Sequence, residues 1–343
     1  MLTSYNSDAS MMRAALGLAK RAWGKTNPNP MVGSVIVKDG KIVGRGYHRK
    51  AGEAHAEINA LCDAGENAKD SALYVTLEPC STTGRTPPCT EAIIAAGVKK
   101  VVIGSLDPNP KHAGAAVNLL ERAGIEVVSG VEAEKCDRLN EAFFKWIVTG
   151  RPFVLLKMAM TLDGKIATSE GLSKWITGPF ARRRVQKLRQ WSDAIVVGGG
   201  TARHDRPSLN VREPSGWPCQ PRRIIISSTL SSKDALELTP EGREPEVFSL
   251  PDKASWDAMF VRLGAEDVVA VLLEGGGELA ASALNAGVVD KAEFHIAPKI
   301  LGGRNSRAVV GGPNPMSLAE AHGFSDLSVR RLGDDIAVSG YIK

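Results

Sequence analysis

The sequence predicts an α/β protein built as two successive domains. Three observations carry that reading. A chain of 343 residues is longer than one hydrophobic core usually organises. Strand-like apolar runs alternate with amphipathic helical ones through both halves. The alternation stops once, at Thr149-Gly150-Arg151-Pro152, and then restarts, dividing the chain into residues 1–149 and 150–343.

The elements follow in order. Asp8–Ala22 reads as an amphipathic helix with Asp8 as N-cap and Met12, Ala15, Leu16 and Ala19 on one face. Strands Met31–Val37 and Lys41–Tyr47 make a hairpin across Asp39-Gly40, a pair that tolerates the positive φ of a tight turn. A helix over His55–Ala64, a strand over Ala72–Thr76, a helix starting near Cys89 and a strand over Lys100–Ile103 continue the alternation. Gly114–Ala123 reads as helix, Glu126–Val128 as a short strand and Glu132–Val148 as one helix. Past the break come strand Phe153–Met158, helix Ala181–Gln190, and strand Ala194–Val197 running into Gly198-Gly199-Gly200. Strands Arg223–Ser227 and Val268–Leu273 and helix Glu278–Asn285 complete the pattern. Pro214–Pro221 and Ser231–Glu246 read as surface loops. No internal repeat links the halves.

Composition narrows the class. With 43% hydrophobic and 24% charged residues the chain is ordinary globular material. The net charge of +5 suits anionic small molecules. The densest basic cluster, Arg182-Arg183-Arg184, reads either as a solvated helix face or as a phosphate-facing patch, and is too short for a nucleic-acid arm. No nucleic-acid partner is expected. No stretch approaches 18 apolar residues and no basic, then apolar leader opens the chain, so a cytoplasmic protein with no membrane partner is expected. Five cysteines, at 62, 80, 89, 136 and 219, do not suggest a disulfide framework in so long a chain.

His55-Ala56-Glu57, then Pro79-Cys80, then Cys89 follow the His-x-Glu…Pro-Cys…Cys layout of zinc deaminases. Imidazole nitrogen and two thiolates make three legs of a tetrahedron and leave the fourth position for water. His55 and Cys89 both fall where a helix should begin, so the helix dipole favours negative charge there. Glu57, two residues from a ligand, is placed as proton shuttle. A closed structural zinc site would need a fourth ligand. Cys62 lies seven residues past His55, roughly 10 Å along a helix, and cannot serve; spacing leaves His48 and His112 open. Cys62, Cys136 and Cys219 read as buried or incidental thiols.

Eight residues, Ser81–Pro88, separate Cys80 from Cys89, where nucleic-acid deaminases of this type have two. With Gly52-Glu53-Ala54-His55-Ala56-Glu57, Thr76-Leu77-Glu78-Pro79-Cys80, Gly84–Cys89 and Asp107-Pro108-Asn109-Pro110, this half resembles the bifunctional deaminase/reductase family of riboflavin biosynthesis. The resemblance implies a cytidine-deaminase-like three-layer domain that releases the 2-amino group of a diaminopyrimidinone ribosylamine phosphate as ammonia. It implies that Asn29, Arg85, Asp107 and Asn109 line the pyrimidine and phosphate pocket. At Thr82-Thr83 the chain departs from the family, which carries a substrate-contacting histidine after the serine; Thr82 offers only a hydroxyl.

The resemblance continues through Lys157–Lys165, Ser173-Lys174-Trp175-Ile176-Thr177, Gly198–Thr201, Asp205–Arg212 and Glu274–Gly277. It implies a dihydrofolate-reductase-like α/β domain that uses NADPH to reduce the ribosyl group to ribityl. Val268–Leu273 followed by Gly275-Gly276-Gly277 is a strand, a glycine loop and a helix start, which serves a tight turn or lets backbone N–H groups approach a pyrophosphate. By matched position Ala159, Trp175, Thr201, Asp205, Ser227 and Gly276 fall in the cofactor site, and Ser173, Arg189, Leu209, Arg212 and Glu274 in the substrate site. Arg189 and Arg212 suit a phosphate clamp or are surface arginines, and Trp175 suits the core equally well. Lys157 and Asp163 are motif positions without an assigned role. The implied cofactors are zinc and NADPH and the implied partner a phosphorylated pyrimidine; whether the chain forms a homo-oligomer is left open.

Overall fold

Alternation of side chains along the strands decides the layering of each half. The computed structural model describes the chain except residues 1–4, 83–86, 110–112, 240–241, 243 and 251. It divides into two units, Met1–Gly150 and Arg151–Lys343.

In the first unit, β1 (Gly33–Lys38), β2 (Lys41–Tyr47), β3 (Ala72–Leu77), β4 (Lys100–Ser105) and β5 (Glu126–Ser129) form a sheet in the order β2-β1-β3-β4-β5. The β1–β2 and β1–β3 pairs are antiparallel and the others parallel. Ile36, Leu73, Val75, Val101 and Ile103 point to one face, against Ala56, Ala60 and Ala64 of α2 (Ala56–Ala64), Ile93 of α3 (Cys89–Ala95) and Leu120 of α4 (Ala115–Arg122). Val35, Val37, Tyr74 and Val102 point to the other, against Met12, Ala15, Leu16 and Ala19 of α1 (Tyr5–Ala19) and Cys136 and Leu139 of α5 (Ala133–Leu139). Period-2 strands thus give three layers. A side chain at Gly46 would put its Cβ 2.1 Å from the Ala56 carbonyl oxygen, so this glycine lets the first turn of α2 lie directly on β2.

Two expectations fail here for the same reason, tertiary recruitment of a polar side chain. Asp8 is no N-cap, because α1 already begins at Tyr5; its carboxylate accepts the Tyr74 hydroxyl at 2.6 Å and pairs with Lys100 at 3.4 Å. Glu132–Val148 is not one helix but two, α5 and α6 (Glu141–Thr149), broken at Asn140 with φ −114°. Asn140 is buried, and its amide accepts from the Met31 N–H at 2.8 Å and donates to the Met31 carbonyl at 3.0 Å. A smaller difference lies at the end of the first helix, where a 3-10 turn over Lys20–Ala22 replaces the last α-helical turn.

In the second unit, β6 (Phe153–Thr161), β8 (Ala194–Gly198), β9 (Arg222–Ile226), β10 (Glu246–Phe248), β11 (Ala270–Glu274), β12 (Lys291–Ala297), β14 (Phe324–Leu332) and β15 (Asp335–Ile342) form a sheet in the order β10-β9-β8-β11-β6-β12-β15-β14. It is parallel from β10 to β12 and antiparallel beyond. The short β7 (Lys165–Ala167) and β13 (Arg307–Ala308) pair separately. Val154, Leu156, Val196, Val271 and Leu273 pack on Trp256 and Phe260 of α10 (Lys253–Ala265) and on Leu279 and Leu284 of α11 (Gly277–Asn285). The opposite face, with Leu155, Ile195 and Leu272 buried, carries α7 (Pro179–Trp191), whose Trp191 stacks edge-on to Phe153 at 6.0 Å. Between β8 and β9 lies α8 (Gly199–Asp205). Ser231–Glu246 is not all loop: α9 (Ser232–Leu238) forms behind a capping box of Ser231 and Asp234. The three arginines of the Arg182–Arg184 cluster have separate partners. Arg182 lies 4.7 Å over the Trp175 ring, Arg183 4.4 Å over Phe180, and Arg184 pairs with buried Glu293.

Removing the Asn140 amide orphans both backbone groups of Met31, so Asn140→Ala is expected to destabilise the first unit by roughly 2–4 kcal/mol, measured as a drop in its denaturation midpoint.

Candidate functional site

The first unit gathers its reacting groups where strands end and helices start. His55 is the residue before α2, with extended backbone (φ −71°, ψ 165°), Cys89 is the first residue of α3, and Cys80 lies in the loop after β3. His55 Nδ1 is 3.3 Å from Cys89 Sγ and 3.5 Å from Cys80 Sγ, and the three ligand atoms lie within 4.8 Å of one another. A zinc tetrahedron with Zn–N near 2.05 Å and Zn–S near 2.3 Å has an N···S edge of about 3.6 Å, so the donor set fits that ion. The Cys89 N–H, unpaired within its helix, donates to Cys80 Sγ at 3.2 Å. Hydrogen bonding from the Cys89 thiol, then from His55 and this N–H, pulls the Cys80 thiol down toward thiolate; beside that charge the Cys89 thiol is pushed up. The two sulfurs thus share one proton, and a cation bound between them would take its place and let both be thiolates.

Glu57, in the first turn of α2, is buried, and burial pushes its carboxyl up to about 7; it also accepts a hydrogen bond from Cys89. Asn29 reaches the cluster through His48. Its amide donates to His48 Nε2 at 3.1 Å, while His48 Nδ1 faces the Ala54 carbonyl at 3.2 Å and the ring stands edge-on to His55, centroids 5.3 Å apart. Burial holds His48 below its ordinary pKa and neutral. Both ring nitrogens being engaged, His48 has no lone pair for a metal; His112 and Arg85 lie outside the described residues. Cys62 and Cys219 are exposed, and buried Cys136 packs with α1 on the far face of the sheet.

The sequence reading missed Glu78 as an organiser. Its buried carboxylate accepts from the N–H groups of Asp107 (3.1 Å), Gly114 (3.0 Å) and Ala116 (3.0 Å). It therefore ties the Cys80 loop to the segment carrying Asp107 and Asn109, in which the Asn109 N–H donates to Asp107 Oδ1 at 2.8 Å. A carboxylate one residue before Pro-Cys was the available signal. Thr82 is exposed beside this loop.

In the second unit the residues collect at the carboxyl ends of the parallel strands. Strand order turns between β8 and β11: the chain leaves β8 toward β9 and leaves β11 toward β12. Such a switch point opens a crevice for ligands. Thr201 of α8 and Gly276 meet there: a Cβ on Gly276, whose φ is +89°, would stand 3.1 Å from Thr201 Oγ1. Gly199 packs equally closely on Ser227 at the end of β9, and Ser227 Oγ accepts the N–H groups of Thr229 and Leu230, each at 3.2 Å. Arg203 of α8 donates to Thr229 Oγ1. Ser173 donates to Asp205 at 3.0 Å. Trp175 is 64% exposed and so not core. Leu209 is buried with φ 50°. Asp163 is a structural fastener. It accepts from the Thr161 hydroxyl (2.6 Å) and the N–H groups of Leu301 (3.0 Å) and Gly302 (2.8 Å), and these bonds hold its carboxyl down at about 2.

Arg189 and Glu274 come together as a buried bidentate pair, 2.6 and 2.7 Å, with Arg189 also donating to the Asn210 carbonyl. All three guanidinium nitrogens that would clamp a phosphate are thus engaged within the protein. Arg212 is exposed, and its backbone N–H is fixed by Gln186 at 2.8 Å. Burial pushes the Glu274 carboxyl up, but Arg189, Lys157 and Arg212 outweigh it and keep it ionised. Lys157 and Ala159 lie on β6 beside it, Lys157 directly opposite Glu274.

Comparison with known proteins agrees with both halves. Residues 5–105 match the cytidine and deoxycytidylate deaminase zinc-binding region, and residues 152–338 the RibD C-terminal domain. A riboflavin biosynthesis protein RibD from Actinobacillus pleuropneumoniae is 43% identical over 96% of this chain and 94% of its own length. The chain belongs to the RibD family. The Escherichia coli RibD protein is 40% identical over 96% of this chain and 98% of its own length. Among solved structures, Acinetobacter baumannii RibD superposes with a TM-score of 0.88 at 37% identity over 99% of this chain and 100% of that one. A diaminohydroxyphosphoribosylaminopyrimidine deaminase/5-amino-6-(5-phosphoribosylamino)uracil reductase from Thermotoga maritima superposes at 0.87, 34% identical over 99% of each. The chain is accordingly a bifunctional riboflavin biosynthesis enzyme, a zinc-binding deaminase domain followed by a reductase domain that takes a nucleotide cofactor.

Deleting one ligand in Cys80→Ser, Cys89→Ser or His55→Ala is expected to weaken zinc binding at least ~100-fold, read by competition with a chromogenic chelator.

Proposed function

We propose that the first unit hydrolyses the 2-amino group of 2,5-diamino-6-(5-phosphoribosylamino)pyrimidin-4-one, and that the second reduces the ribosyl group of the product to ribityl with NADPH. The observation that carries the first step is the His55–Cys80–Cys89 donor set with buried Glu57 against it. Zinc bound there supplies Lewis acidity that makes water a nucleophile near neutral pH. Glu57 takes that water's proton and delivers it to the departing amine. Asn29, oriented by His48, and Asp107 and Asn109, held by Glu78, orient the pyrimidine, with Arg85 on the phosphate and the Thr82 hydroxyl at the pocket edge.

For the second step, the crevice between β8 and β11 would receive the dinucleotide, with Gly276 at the start of α11 and Thr201 as the residues that would hold its pyrophosphate. Ala159, Trp175 and Asp205 would hold the rest of the cofactor. Preference for NADPH is supported at the end of β9. A carboxylate there would take the 2′-hydroxyl of NADH and an arginine the 2′-phosphate of NADPH; here stand Ser227-Ser228-Thr229 with Arg203 hydrogen-bonded to Thr229. Ser173, Leu209, Arg212 and Glu274 bind the substrate, with Arg189 acting through Glu274. A cytoplasmic location belongs to the same reading and suits a site that needs reduced thiols.

The test is incubation with the diaminopyrimidinone phosphate, first without and then with NADPH. Ammonia release in the first stage and NADPH oxidation only in the second are expected; oxidation without prior deamination would overturn the order. Glu57→Gln is expected to keep zinc and lower deamination by about 10²–10⁴-fold. Arg212→Ala should spare ammonia release and weaken reduction. Arg203→Ala should narrow the preference for NADPH over NADH by roughly 10–100-fold, the worth of one hydrogen bond to a charged group, in steady-state assays with each cofactor.

A further inference from the structure

A row of alternating charge crosses the second unit beneath α7. Lys157 on β6 stands in register with Glu274 on β11 at one side and with Glu293 on β12 at the other, each one strand spacing of about 4.8 Å away. Residues level on adjacent parallel strands point to the same face, here the face α7 covers. From α7, Arg189 pairs with Glu274 and Arg184 with Glu293, so that each carboxylate flanking Lys157 is also held by an arginine. Arg184 donates to Glu293 Oε1 through Nε at 2.9 Å and to Oε2 through Nη2 at 2.7 Å. His295, fully buried and two residues along, stands 2.8 Å from Glu293 Oε1 through Nε2. Burial lowers the pKa of His295 and keeps it neutral, so the proton lies on Nε2; Nδ1 is buried with no partner among the described residues.

The Glu274–Arg189 end belongs to the substrate site proposed above. The Glu293 end does not, yet it is built as fully. A buried ion pair is weak evidence for stability, since an apolar pair of equal volume does as well or better. Apolar side chains do pack on this face of the sheet, at Leu155 of the adjacent β6 and Leu272 of β11 beyond it. What the carboxylate supplies that leucine would not is a fixed negative charge beside a lysine. Lys157 is partly buried and lies two residues before Ala159, on the strand next to β11.

We propose that Glu293, locked by Arg184 and His295, is a positioning residue of the reductase: it holds the Lys157 ammonium charged and centred between β11 and β12, level with Glu274. The proposal rests on the reading of Glu274 as part of the substrate site. Above neutral pH every other member of the row keeps a fixed charge. Glu274 and Glu293 stay ionised against burial through their partners, and His295 stays neutral. The arginine guanidiniums are cationic throughout the range. Burial draws the Lys157 pKa down while the two carboxylates resist, so Lys157 is the group of the row that loses its charge as pH rises. Taking away one carboxylate lets its pKa fall further.

The experiment compares wild type, Glu293→Gln and the double variant Arg184→Met/Glu293→Leu in the full-length zinc-loaded protein. The readouts are reductase kcat and KM against pH, thermal stability, and NADPH binding by fluorescence as the check that the second unit is folded. The alkaline limb of reductase kcat is expected to move to lower pH by about one unit or more in both variants, and kcat at neutral pH to fall by up to about 100-fold through misplacement of the ammonium. Ammonia release stays at the wild-type rate. The double variant, free of an unpaired buried arginine though not of the His295 N–H that Glu293 accepted, regains part of the stability but not the position of the limb. If NADPH-binding variants keep the wild-type limb and kcat, or if the double variant recovers both with its stability, Glu293 is structural only and the proposal is overturned. Failure of the wild type to reduce the deaminated substrate would instead overturn the reading of the function itself.

Discussion

A helix that starts at the carboxyl end of a parallel strand brings unpaired N–H groups and partial positive charge to that end, and both units put their chemistry there. In the first, the Cys89 N–H at the start of α3 lands on Cys80 sulfur, and the start of α2 presents His55 and Glu57 to the same point. In the second, the turn into α11 and the turn into α8 face each other across the β8–β11 switch. The two units share no repeat and serve different ligands, a metal ion and a nucleotide cofactor. Both place the same backbone feature, a helix start suited to negative charge, at their sites.

Buried carboxylates do the fine placement. Glu78 satisfies three backbone N–H groups and so fixes the distance between the Cys80 loop and the Asp107–Asn109 segment. Glu274 and Glu293 each take an arginine from α7 in bidentate geometry. Stripping a carboxylate of water costs several kcal/mol unless its lone pairs are filled, and filling them ties together elements far apart in sequence. Asn140 does the same with a neutral amide, breaking a helix to hold Met31. A polar side chain that would be a local cap in an isolated peptide becomes a long-range fastener once the chain has closed around it.

How much was legible from the sequence follows from that distinction. Strand and helix order was readable, because period-2 and period-3.6 apolar patterns report which face is buried. The metal ligands were readable as well. His55, Cys80 and Cys89 are residue types with few other reasons to recur at those positions, and their spacing separated this family from the nucleic-acid deaminases. Asp8, Asn140 and the Arg182–Arg184 run were not. Each carries a side chain whose role is set by its partner: Tyr74 and Lys100 for Asp8, Met31 for Asn140, Trp175, Phe180 and Glu293 for the three arginines. Most of those partners lie far along the chain, beyond the reach of helical or strand spacing.

By itself, then, the sequence determined the two-domain α/β order, the donor set His55, Cys80 and Cys89 with a carboxylate two residues from the histidine, and the glycine turn at Gly275–Gly277, all of which are local in chain or in chemistry. Only the tertiary structure decided that Arg189 commits its guanidinium to Glu274, that both nitrogens of His48 are occupied, and that Lys157 stands between two carboxylates. Strand register and helix placement bring those charges together, and register is fixed by the packing of the whole sheet.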